Sequence, residues 1–138
     1  MFAILGPMTH RVLVIDDEPV VQKLLARILE RHGMTVAIAA DGAAGLDAIA
    51  RGAFRVAFVD ATIPPDGCIP LMHALAALDP RPAIVLVSGA PLDAAQEALL
   101  ESVGGAYVAK PFGPQALLEA AARAGAPPSS PVSAGRGA

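Results

Sequence analysis

The chain has 138 residues, a formal charge of −3, and 17% charged against 54% hydrophobic residues, which bounds it to one domain with a core of ordinary size and argues against wholesale disorder. So mild a charge, without any aromatic-interleaved basic patch, speaks against direct contact with nucleic acid or a membrane surface. A single cysteine, Cys68, excludes an internal disulfide and metal sites of paired cysteines, and no apolar run approaches the ~20 residues of a membrane span, so the chain reads as cytoplasmic.

The opening Met1–Met8 is too short and lacks the basic start of a signal peptide. Met8 is itself a candidate start, and residues 1–9 are expected to be a disordered extension. The first structural signal is Arg11–Ile15, a buried-strand run that ends in Asp16-Asp17-Glu18 before Pro19 opens a helix. That helix is expected from Pro19 to His32, with Val21, Leu24, Leu25 and Ile28 inward, Lys23, Arg27 and Arg31 on a solvated face, and Gly33 as its stop.

Met34–Ala39 reads as a second strand, Asp41-Gly42 as a turn or cap, and Ala43–Ala50 as a helix with Leu46 and Ile49 as its apolar points. The run Val56–Val59 follows and stops at a carboxylate, Asp60, before Pro64-Pro65-Asp66-Gly67. A third helix runs from Pro70 to Leu78, with Leu71, Leu75 and Leu78 at helical spacing. Ala83–Val87 is a fourth strand ending at Ser88-Gly89, and Pro91–Val103 a helix carrying Leu92, Ala95, Leu99 and Val103 inward and Asp93, Glu97 and Glu101 on another stripe. Ala106–Ala109 is the last strand, leading through Lys110-Pro111-Phe112 into a helix from about Pro114 to Ala124. The sequence GAPPSSPVSAGRGA, residues 125–138, cannot bury apolar area and is expected to be disordered.

Strand and helix alternate throughout residues 10–124, so the expected fold is α/β: a (βα)₅ doubly wound, five-stranded parallel sheet with right-handed crossovers. In such sheets ligands bind outside the carboxyl ends of the strands. There the strands would present Asp16-Asp17, Asp60, Ser88 and Lys110. Three aspartates crowded together raise one another's pKa unless a divalent cation lies among them, and hard oxygen ligands suit Mg²⁺ or Mn²⁺. With a cation and Lys110 to neutralise phosphate oxygens and Ser88 to donate a hydrogen bond, Asp60 is placed to accept a phosphoryl group. Taken singly the same residues have plainer uses: Asp60 or Ser88 as a helix cap, Lys110 as a solvated lysine, Tyr107 as core edge. His10, His32 and His73 lack partner carboxylates at a useful spacing and read as structural or solvated.

The acidic pair in VIDDEP, the strand-end VD with a proline four residues on, VSG, and YVAKPF occur in this order. Over roughly Arg11 to Ala124 the chain resembles the response-regulator receiver domains of bacterial two-component signalling, which have a flavodoxin-like fold. The resemblance implies that Asp60 is phosphorylated by a sensor histidine kinase or a histidine phosphotransfer protein, and that the phosphorylated state binds a downstream protein. It implies that Asp17, Asp60 and the Thr62 backbone carbonyl ligate Mg²⁺ directly, with Asp16 acting through a metal-bound water, and that Ser88 and Lys110 read the phosphate. Tyr107 takes the position of the aromatic switch, Lys110-Pro111 that of a cis bond, and the face of the last two helices around the final strand that of the output surface. Thr62 and Ala90 fall where family members tune water access.

One departure is visible: only Pro65 separates Pro64 from Asp66, so the loop after Asp60 is one residue shorter than the pattern. It keeps a receiver-like scaffold that takes no phosphate in view. A Mg²⁺-dependent aspartyl-phosphate phosphohydrolase would want a second acid at the Thr62 position, and a dinucleotide-binding domain would want G-x-G-x-x-G after the first strand. As a phosphoacceptor the chain would catalyse only its own phosphorylation and dephosphorylation. With no further module after Ala124, it is expected to be a stand-alone signalling or phosphorelay protein and not an enzyme.

Overall fold

Strands alternate with helices in the order β1 (Arg11–Ile15), α1 (Pro19–Glu30), β2 (Thr35–Ala39), α2 (Gly42–Arg51), β3 (Val56–Asp60), α3 (Ile69–Ala76), β4 (Ala83–Ser88), α4 (Ala94–Ser102), β5 (Ala106–Ala109) and α5 (Pro114–Ala124). This computed structural model describes residues 10–124. The expected extension over 1–9 and tail over 125–138 lie outside the described residues. Every neighbouring pair of strands is parallel, in the order β2-β1-β3-β4-β5. The expected α/β architecture is therefore the one observed.

A parallel sheet covered on both faces needs strands that are apolar without interruption, and β1, β3 and β4 meet that need. Side chains alternate between the faces. Leu13, Ile15, Ala57, Val59, Ile84 and Leu86 join one core with Ile49 of α2, Leu71, Met72 and Leu75 of α3 and Leu100 of α4. Val12, Val14, Val56, Phe58, Val85 and Val87 join the other with Leu25, Ile28 and Leu29 of α1 and Leu117 and Ala120 of α5. The sheet is thereby clamped, and the ends of its strands are held as a rigid row.

Helix boundaries differ from the sequence reading in instructive ways. α1 stops at Glu30, because Met34 N–H and His32 N–H both return to the Leu29 carbonyl, and Gly33 then turns the chain at φ +83. Its buried face is Leu25, Ile28 and Leu29, while Leu24, expected inward, is 41% exposed. On α2, Leu46 is 43% exposed. Gly45 is buried in its place. A Cβ on Gly45 would lie 2.9 Å from Leu71 Cδ2 and 3.1 Å from Ile15 Cδ1, so glycine lets α2 approach the sheet closely. α4 begins at Ala94 and not at Pro91. Asp93 caps it: its Oδ1 accepts the Gln96 N–H at 2.8 Å, and Gln96 Oε1 accepts the Asp93 N–H at 2.9 Å. Asp93 is thus a cap and not part of an acidic stripe. The buried side chain of α4 is Leu100, and the expected Leu92, Leu99 and Val103 pack partly buried against the same core.

Candidate functional site at the carboxyl edge of the sheet

Adjacent strands β1 and β3 deliver Asp16 and Asp60 to one edge, since Ile15 pairs with Val59. Their outgoing chains lead to α1 on one face and α3 on the other, which opens the crevice typical of doubly wound sheets. The buried polar residues of the described chain are Asp16 at 1%, Ser88 at 3% and Asp60 at 4% exposure, and all belong to this edge. Burying them costs free energy that the apolar cores must offset.

Asp16 Oδ1 accepts the Glu18 N–H at 2.9 Å, and the Gln22 amide donates to the Asp16 carbonyl at 2.6 Å, so the acidic turn is tied to the first turn of α1. Asp16 Oδ2 is buried without a hydrogen-bond partner among the described residues. Lys110 Nζ stands 3.3 Å from it, 3.9 Å from Asp60 Oδ2 and 2.9 Å from Glu18 Oε1. Lys110 is carried there by β5: its N–H bonds the Ser88 carbonyl at 2.8 Å, and the Lys110–Pro111 peptide is cis, as the resemblance implied.

Burial pushes the Asp16 carboxyl above its ordinary 3.8; the Glu18 N–H and the Lys110 charge pull it down, and Asp60 adds to the rise. For Lys110 burial acts to lower the pKa, but the Glu18 hydrogen bond and the charges of Asp16 and Asp60 outweigh it, so the ammonium is held above its ordinary 10.5. Asp16, Asp17 and Asp60 each offer an oxygen within 4.8 Å of the others. Three hard oxygen donors, one of them on the buried Asp16 carboxylate whose Oδ2 has no hydrogen-bond partner among the described residues, fit a divalent cation of the Mg²⁺ or Ca²⁺ kind.

Asp60 Oδ1 accepts both the Thr62 N–H at 3.1 Å and the Thr62 hydroxyl at 3.2 Å. Oδ2 is left facing Lys110. The short loop beyond closes on itself through Ile63 N–H to the Asp60 carbonyl and Gly67 N–H to the Ile63 carbonyl, and Gly42 N–H bonds the Pro64 carbonyl. Ile63, fully buried, pins it to the core. The missing residue therefore leaves a closed loop.

The structure brings Asp16, Asp17, Asp60 and Lys110 together. Ser88 ends β4 at the same edge, but its hydroxyl donates to the Ala90 carbonyl at 2.7 Å. Tyr107, half-buried on β5, directs its hydroxyl to the same Ala90 carbonyl at 3.4 Å. It lines an open groove of about 930 Å³ with Ala90, Leu92, Glu97 and Leu100, between α4 and β5. Sequence reasoning left two participants unassigned. Glu18, the third acid of the run, pairs with Lys110, and its place in that run was the available signal. Gln96 donates to the Ala61 carbonyl at 3.4 Å across the helix–loop boundary, and no local pattern marks it.

The family model described as the response regulator receiver domain matches residues 12–122. The DNA-binding response regulator MtrA of Mycolicibacterium smegmatis is 31% identical over 80% of this chain and 48% of its own length. The chain spans about half or less of the curated relatives it matches. Among solved structures, a response regulator of Burkholderia pseudomallei with a phosphorylated aspartic acid, a calcium ion and citrate is 30% identical over 80% of this chain and 65% of that one, with a TM-score of 0.72. A CheY-like receiver domain protein of Methanospirillum hungatei is 30% identical over 79% of this chain and 87% of that one, also with a TM-score of 0.72.

Proposed function

The chain belongs to the response regulator receiver family, and from that premise we propose that Asp60 is its phosphoacceptor, charged by the phosphohistidine of a sensor kinase or histidine phosphotransfer protein. The observation that carries the reading is the buried Asp60 carboxylate with oxygens of Asp16 and Asp17 within 4.8 Å and Lys110 Nζ at 3.9 Å. The 30%-identical Burkholderia protein, with its phosphorylated aspartic acid, supports the same assignment.

Thr62 holds Oδ1 with two donors, so Oδ2 is the freer nucleophile. Its lone pair forms a bond to phosphorus while the P–N bond of the phosphohistidine breaks, and the electron pair of that bond stays on the imidazole nitrogen. Asp60 becomes an acyl phosphate. Lys110 lies where it neutralises the incoming phosphoryl oxygens. Asp17, Asp60 and the Thr62 backbone carbonyl would hold Mg²⁺ or Mn²⁺ directly, with Asp16 acting through a water. Bound there, the ion supplies charge neutralisation for the phosphoryl oxygens.

Ser88 then leaves the Ala90 carbonyl and donates to the phosphoryl group. Tyr107, which shares that carbonyl, follows inward, and the face made by α4, β5 and α5 changes its affinity for a partner protein. The product is a signal and not a released compound, and the protein acts in the cytoplasm, where its kinase has ATP. Residues 10–124 form the receiver domain.

Incubation with acetyl phosphate and Mg²⁺ tests this: the P–O bond breaks, acetate leaves with its electron pair, and intact mass should show one acid-stable, base-labile phosphate. Asp60→Asn should show none. No adduct on the wild-type protein, or one that survives the substitution, would favour a scaffold that takes no phosphate. Many turnovers of phosphoester per protein would favour a phosphohydrolase, a reading that Thr62 disfavours because its hydroxyl is committed to Asp60 and is not an acid.

A further inference from the structure

Gln96 is the third residue of α4, and its side chain faces two ways. Oε1 accepts the Asp93 N–H at 2.9 Å and so completes the cap of the helix. Nε2 leaves the helix and donates to the Ala61 carbonyl at 3.4 Å, with Cys68 Sγ at 3.8 Å. The Ala61 carbonyl and the Thr62 N–H belong to one peptide unit, which is planar, with its C=O and N–H pointing in opposite directions. That Thr62 N–H is the one that donates to Asp60 Oδ1 at 3.1 Å.

Gln96 therefore grips one side of a rigid plane whose other side grips the nucleophile. Tilting that plane withdraws the N–H from Asp60 and alters how its carboxylate is aimed. The Ala61 N–H is itself tied to the Val87 carbonyl at 2.9 Å, so the freedom left to the following peptide unit is rotation about its own flanking bonds, and Gln96 opposes that rotation. Leu100 is the buried side chain of α4. Gln96 is thus a polar tie between the amino end of this helix and the loop of the phosphoacceptor.

We infer that Gln96 is a positioning residue for phosphoryl transfer at Asp60, acting through the Ala61–Thr62 peptide plane and making the reaction sensitive to where the amino end of α4 lies; this rests on the phosphoacceptor reading above.

The test separates the strut from the cap. Gln96→Met keeps the side chain's length but removes both hydrogen bonds; Gln96→Glu keeps the oxygen that caps the helix and loses the donor; Asp93→Ala weakens the same cap and leaves the donor in place. All are made in the full chain and labelled with acetyl phosphate and Mg²⁺, with Tm measured alongside. Both Gln96 variants should label Asp60 about fivefold more slowly, the loss expected of one hydrogen bond in the transition state. Asp93→Ala should lower Tm and label at the wild-type rate. Gln96 variants that label at the wild-type rate, or Asp93→Ala slowed as much as Gln96→Met, would overturn the inference. Should Gln96→Met fail to fold, Gln96→Glu alone decides it by the same comparison. A wild-type protein that takes no label overturns the phosphoacceptor reading itself, a failure distinct from that of Gln96 in a protein that labels.

Discussion

The interior of the sheet and its carboxyl edge are built from the same strands by opposite rules. Within β3, Phe58 is enclosed by apolar neighbours and contributes to stability; two residues on, Asp60 is equally enclosed and carries a charge. The interior gains free energy from burial, whereas the edge loses it and is kept polar for what it binds. Substitutions should therefore divide by position along a strand more sharply than by residue type. Those in the interior should lower stability and leave the labelling rate per folded molecule alone, and those at the edge should act mainly on labelling, with effects on stability that are smaller or of opposite sign.

The largest effect is expected inside. Phe58→Ala should cost about 3–5 kcal/mol in a denaturant titration, because the large side chain leaves a cavity its clamped neighbours cannot fill. Whatever remains folded should still label with acetyl phosphate. A loss below ~1 kcal/mol would mean the strand interior is not the source of stability. At the edge, Lys110→Met removes the one cation within reach of Asp16 Oδ2 and Asp60 Oδ2 among the described residues. Labelling should fall by about a hundredfold, the usual consequence of deleting one preorganised group from a charge-stabilising site. Stability should move far less than in Phe58→Ala.

An intermediate effect is expected at the opposite end of the strands. A Cβ on Gly105 would meet the Ile84 carbonyl at 2.7 Å as well as the Leu100 side chain. Backbone cannot yield as a side-chain tip does, so Gly105→Ala should destabilise by about 1–3 kcal/mol. Its labelling rate should be unchanged, and a slowed rate would show that the two ends of β5 are mechanically coupled.

The division between interior and edge also explains what was legible in the sequence. Strands buried on both faces must be unbroken apolar runs, so β1, β3 and β4 stand out, while the edge strand β5 shows itself as a short apolar run with Tyr107 half-buried, and the polar residue after each run marks the carboxyl edge: Asp16, Asp60, Ser88 and, after Ala109, Lys110. Helix faces are less legible because a side chain's fate depends on how closely the helix approaches the sheet. Gly45 draws α2 in so far that backbone, not Leu46, meets the core. Asp93 looked like part of an acidic stripe because Glu97 and Glu101 follow at helical spacing, yet it caps α4. Gln96 was invisible for a different reason: it touches Ala61, 35 residues earlier in the chain, and nothing in either segment announces the other.

The smallest effect is the most discriminating, because its sign is opposite to that of every interior substitution. Asp16→Asn keeps the oxygen that accepts the Glu18 N–H and replaces a buried charge by an amide of the same shape. Since burial raises the folded-state pKa of Asp16 above the ordinary 3.8, the native state binds its proton more tightly than the unfolded chain does. Between those two values the wild-type protein loses stability as pH rises, and the variant does not. Without metal, the variant's advantage should therefore be near zero below about pH 3.8, grow as pH rises toward the folded-state value and then level off, leaving the variant the more stable protein near neutral pH. Added Mg²⁺ should reverse the order, because the wild-type carboxylate, once ionised, accepts from the metal-bound water and offsets the charge of the ion, and a neutral amide does both less well. Paired melts of the two proteins at acid and neutral pH, each with and without Mg²⁺, read all of this directly. A variant less stable than wild type in metal-free neutral buffer would mean that the Lys110 ion pair outweighs the burial of Asp16, and the edge would then stabilise the fold as the interior does.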